Sequence, residues 1–168
     1  GGAFLFYSGN LLWIESRRKR RQVDQGRAQI NMARATVGVC IGLCVAVSAS
    51  FVGAQILEQV APQAVDHGIR WICFVTWAIC ALWAALRRPD QAARELLWAA
   101  ALSTALVAVT HGALTGFWPW ASAVRGYWPL FWVDAVALAL AFGFASLARA
   151  SLRRARHGDP NSVWSAPR

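Results

Sequence analysis

The sequence predicts an all-α fold, a polytopic transmembrane helical bundle, and three observations predict it. The chain is 57% hydrophobic and only 15% charged, where a soluble domain carries nearer a quarter charged residues. The apolar residues are gathered into long runs rather than dispersed. Residues 35–57, 71–86 and 96–124 contain no Asp, Glu, Lys or Arg, and 128–148 contains Asp134 alone. The basic residues flank these runs instead of interrupting them.

A membrane-crossing helix needs roughly 20 mostly apolar residues. The run at 71–86 is slightly short and extends upstream through Ile69 if Arg70 snorkels toward the headgroups. A soluble helical domain of this size could not bury every such run at its centre. Run length and the lack of alternation exclude membrane β-strands.

The elements follow in order. Residues 1–14 are apolar and are followed by a basic cluster, Arg17–Arg21, in a stop-transfer arrangement. They are expected to form the cytoplasmic half of a helix whose beginning is missing, so that the chain is the C-terminal part of a longer protein. A signal peptide would carry its basic residues first. Residues 15–34 are a cytoplasmic loop with partly helical character. Complete spans are expected near 35–57, 67–86, 96–115 and 129–150. Pro62 marks an outer turn and Pro89 an inner one. A transmembrane domain thus covers 1–152, and 153–168 is a polar cytoplasmic tail.

The net charge is +9, and its placement orients the chain. Arg17, Arg18, Lys19, Arg20, Arg21, Arg27 and Arg34 share one connection, Arg87, Arg88 and Arg94 another, and Arg149, Arg153, Arg154, Arg156 and Arg168 the tail. Only Arg70 and Arg125 fall in the remaining connections. The positive-inside rule puts the crowded connections and the C-terminus in the cytoplasm of a bacterial inner (plasma) membrane. The lipid bilayer is the expected partner. Nucleic acid is not, because the basic residues accompany apolar spans and no aromatic-interleaved soluble module. Cys40, Cys44, Cys73 and Cys80 all lie in predicted spans. They read as small apolar residues at helix contacts, without the spacing of a zinc site or the setting of a disulfide framework.

Small residues recur every four positions at Gly38, Gly42, Ala46, Ser50 and Ala54, and again at Ala100, Thr104, Ala108 and Gly112. Such stripes let helix backbones approach closely in lipid. His111 lies close in angle to the second stripe, which turns it into the bundle, roughly 22 Å from the cytoplasmic end of its helix. An ionisable group inside a span is either functional or a neutral histidine bonded to a neighbouring helix, with Asp134 the candidate partner. His67, Arg70, Arg125 and Asp134 are expected at the same outer depth. Two histidines at one depth could supply both axial ligands of a haem b, namely His67 and His111, with Arg70 or Arg125 at the propionates. The same residues could instead be a structural ion pair with loose interfacial charges. The aromatic stretch 117–132 suits the headgroup layer, or alternatively a docking surface for a ligand on the outer side. No phosphate loop, nucleophile–base pair or paired-carboxylate site is present in the sequence.

The stretch Tyr7-Ser8-Gly9-Asn10-Leu11-Leu12-Trp13-Ile14-Glu15-Ser16-Arg17-Arg18-Lys19-Arg20 resembles a signature of the PepSY-associated transmembrane family, in which a helix closes with small and polar residues, a Trp and an arginine-rich stop. Met32 to Cys40 is similar to the next helix of longer members, and Asp159 to Ser165 to their tail. The resemblance implies a bacterial inner-membrane protein with periplasmic PepSY domains and earlier helices that this chain lacks. It also implies a link to iron uptake, with haem-containing reductases releasing iron from ferric siderophores. It assigns no ligand to a residue of this chain. The alternative role is a non-catalytic membrane anchor or assembly partner of a periplasmic domain.

Overall fold

A computed structural model describes Gly9, Leu12 and residues 27–157, and the described residues contain only helices and turns. Helix α1 (Arg27–Thr36) passes through a π-helical turn (Val37–Ile41) into α2 (Gly42–Val60), and these form one continuous rod. A short 3-10 turn (Pro62–Ala64) leads into α3 (Val65–Leu86). Helices α4 (Pro89–Thr115), α5 (Pro119–Val124) and α6 (Trp128–His157) follow. Four helices are long and apolar enough to cross a membrane: Arg27–Val60, Pro62–Leu86, Pro89–Thr115 and Trp128–Ala155. The chain is therefore an all-α bundle of the multi-pass membrane kind. The expected partial span at 1–14 and the family signature through Arg20 lie outside the described residues, apart from Gly9 and Leu12.

Three of the four spanning helices overrun their apolar runs on the basic side, whereas α3 stops at Leu86. The first span begins at Arg27 rather than at 35, because Arg, Ala, Gln and Met favour helix outside the hydrocarbon as well. Helix α4 begins at Pro89, where proline's fixed φ suits the first helical position and Asp90 in the first turn complements the helix dipole. Helix α6 continues to His157, so residues 153–157, expected in the polar tail, extend the last span. Gly116 closes α4 at φ +73°, a left-handed conformation that glycine adopts without steric cost.

The helices pack in a row rather than as a closed square. Helix α3 packs chiefly on α2, α2 on α4, and α4 on α6. Within an 18-residue apolar stretch of each span, half of the residues are buried in α1–α2 and 44% in α4, against 11% in α3 and 17% in α6, so α2 and α4 form the centre. Apolar side chains on α3 and α6 face outward, as a lipid solvent permits.

Small residues make the central contacts. At Gly42 a Cβ would stand 2.8 Å from the Cβ of Cys80, and at Gly38 one would stand 3.0 Å from that of Ala84. The α2–α3 backbones therefore meet where only glycine fits. The π-helical turn overlaps Gly38. Its wider turn keeps residues four apart nearer one face than a regular helix would. Ala100, Thr104, Ala108 and Gly112 are all buried along α4. Between the parallel helices α2 and α4 the Ser48 and Thr104 hydroxyls bond at 2.8 Å. Nearer the C-terminal ends of both helices, Thr110 donates to Gln55 Oε1, and Gln55 Nε2 donates to the Val107 carbonyl at 3.3 Å.

Candidate functional site at the outer end of the bundle

The ends of α2 and α4 and the start of α6 border a half-open cleft of about 400 Å³. This falls in the range of small-ligand pockets, roughly 300–1,000 Å³. Gln55, Glu58, Gln59, His111, Thr115 and Phe117 are among the residues that line it. Gly116 makes the position possible, since its left-handed turn ends α4 immediately before Phe117. The Thr115 hydroxyl donates to the His111 carbonyl at 2.6 Å, closing the last turn beside the histidine.

His111 is the chemical centre of the cleft. Its side chain is 13% exposed, and Nδ1 lies 2.9 Å from Oδ2 of Asp134, which is buried on α6. With the carboxylate ionised and the ring neutral, Nδ1 would carry the hydrogen and leave Nε2 as an acceptor. Nε2 has no hydrogen-bond partner among the described residues. A carboxylate behind a histidine in this way holds the orientation of the ring. Asp134 Oδ1 and Ser122 Oγ are both buried without a hydrogen-bond partner among the described residues. Ser122 on α5 is fully buried rather than open to the outer solvent, as an interfacial loop would have left it.

The expected outer cluster is only partly gathered. His111 and Asp134 are joined. Arg125 follows α5 with its guanidinium 5.1 Å from the ring of Phe117, at the margin of the cleft. His67 and Arg70 are exposed on α3 and do not line the cleft, and α3 packs chiefly on α2 rather than on the helices that carry His111 and Asp134. Gln55 and Glu58 join the cleft although the sequence reading assigned them no role. The signal was Gln55 itself, an amide in an otherwise apolar run. Among the described residues no group of three or more His, Cys, Asp or Glu is arranged to hold a metal ion.

The aromatic segment wraps this end. Trp118 packs over Gly112, where a Cβ would meet its ring at 2.8 Å, and it stacks on Trp120 with centroids 5.3 Å apart. Tyr127 meets Phe117 edge to face at 5.4 Å. Comparison with known proteins adds no relative: no protein-family model, curated protein or solved structure matches the chain.

Proposed function

We propose that the chain is the C-terminal membrane domain of a PepSY-type bacterial inner-membrane protein, with its C-terminus in the cytoplasm. In this reading the His111 cleft is a redox site on the periplasmic side, serving reduction of a ferric siderophore. One observation carries it: His111 stands on the cleft wall with one ring nitrogen bound to a buried carboxylate and the other without a partner. A histidine held in this way could serve as a ligand to a haem iron. A haem b, when bound, would supply one-electron transfer. The chain's own contribution is the ligand His111, the carboxylate of Asp134 that orients it, and Arg125 as a cation for a propionate. The exposed position of His67 favours a second reading, a non-catalytic anchor or assembly partner for periplasmic domains, since the bundle then needs no cofactor.

The absorbance spectrum of the purified full-length protein separates the two. A Soret band that shifts on reduction, is lost in His111→Ala and survives in His67→Ala supports the redox reading. A colourless protein supports the anchor. A band that needs His67 but not His111 would overturn the assignment of the ligand.

A further inference from the structure

The opposite, basic end of the α4–α6 pair carries a second constellation. The guanidinium of Arg149 on α6 lies 5.8 Å from the ring centroid of Trp98 on α4. Arg94 precedes Trp98 by four residues, so the two share a face of α4 one turn apart. The contacts His111–Asp134 and Trp98–Arg149 fit one antiparallel register, which puts Arg94 level with Arg153. Arg149 thus stands at the ring of the exposed Trp98, and Arg94 lies one turn before that ring on α4.

The nearby acids are engaged elsewhere. Glu95 accepts from Trp83 Nε1 at 2.6 Å and lies 4.0 Å from Arg87, on the α3 side. Asp90 pairs with Arg88 at 3.4 Å. Among the described residues no carboxylate pairs with Arg94 or Arg149. Arg94 and Arg149, two cations on neighbouring helices without a paired acid, call for an anion.

The same faces continue into the bilayer as apolar surface. Leu102 and Leu106 follow Trp98 at four-residue steps, and Phe142 and Leu138 lie on the Arg149 face of α6; all are exposed. A ligand seated here has its charge among the arginines and its remainder against hydrocarbon. Tryptophan sits at headgroup depth, which fixes the level of the anion as that of a lipid phosphate.

We infer that this face of α4 and α6 is a binding site for an anionic phospholipid headgroup, with Arg94 and Arg149 gripping the phosphate, Trp98 at the headgroup boundary and the acyl chains along Leu102 and Phe142. Basic pockets between spanning helices bind such headgroups by this chemistry. The inference rests on the membrane character of the bundle and not on the redox reading, since the two sites lie at opposite ends of α4.

Native mass spectrometry of the delipidated full-length protein tests it, with phosphatidylglycerol, phosphatidylcholine and inorganic phosphate as probes. Phosphatidylglycerol should remain bound, phosphatidylcholine should not, and the Arg94→Gln/Arg149→Gln double variant should weaken retention about tenfold, the loss of a few charge-assisted bonds. Arg154→Gln, which removes an equal charge from another face of α6, should change it less than twofold. Equal retention of both lipids, equal loss in Arg154→Gln, or competition by inorganic phosphate at matched concentration would overturn the site. Unchanged elution on size exclusion shows that the variants remain folded, because the substituted side chains lie on the helix surface.

Discussion

His111 and Asp134 bond at 2.9 Å between α4 and α6, the imidazole one-eighth exposed and the carboxylate almost wholly buried. An acid inside a membrane bundle is costly alone and tolerable when paired. Removing one partner should therefore cost more than removing both. His111→Ala leaves Asp134 buried and unpaired, which costs roughly 3–5 kcal/mol by analogy with broken buried pairs. The His111→Leu/Asp134→Leu variant should recover most of that loss. Thermal unfolding in detergent checks it, and a double variant no more stable than His111→Ala would contradict the pairing.

Ser48 and Thr104 join the two central helices through a buried hydroxyl–hydroxyl bond. Interhelical bonds of this kind average about 0.6 kcal/mol and reach about 1.7 kcal/mol. A double-mutant cycle on Ser48→Ala and Thr104→Val should give a coupling inside that range. A coupling indistinguishable from zero would mean that the side chains do not meet.

Gly42 faces Cys80 so closely that an added Cβ would stand 2.8 Å away. Gly42→Leu should separate α2 from α3 and lower the melting temperature sharply. Gly42→Ala should be milder and should be partly rescued by Cys80→Gly, which removes the opposing atom. Leu43→Ile, at an exposed neighbouring position, should be nearly neutral as a volume-conserving change. Equal effects of Gly42→Leu and Leu43→Ile would refute close packing here.

The orientation has its own test. In a background free of the native cysteines, Gln59→Cys and Val124→Cys should react with an impermeant thiol reagent added outside. Both positions are exposed at the outer ends of α2 and α5. Arg154→Cys should react only after the membrane is opened. The reverse pattern would invert the topology.

Much of the architecture was legible because a bilayer imposes a length on each apolar run. The runs alone marked the four described spans to within several residues, and Pro62 and Pro89 marked the turns between them. The errors lie at the basic ends, where helices continue past the hydrocarbon through Arg27 and Arg153 because arginine and alanine favour helix in either solvent. His111 and Asp134 were both legible as site candidates, since ionisable residues inside spans stand out against apolar neighbours. His67 and Arg70 were grouped with them because hydropathy gives the depth of a residue and not its lateral neighbours.

Composition, run length and the position of arginine thus determined by themselves that this chain forms membrane-spanning helices, because transfer of apolar side chains and backbone into lipid depends on local sequence alone. Which helix stands beside which was decided only in the tertiary structure. Lipid is as apolar as leucine, so hydrophobicity cannot choose between neighbours. The choice falls to close contacts such as Gly42 on Cys80 and to polar bonds such as Ser48 to Thr104. Those contacts bring His111 to Asp134, and they leave His67 exposed on α3.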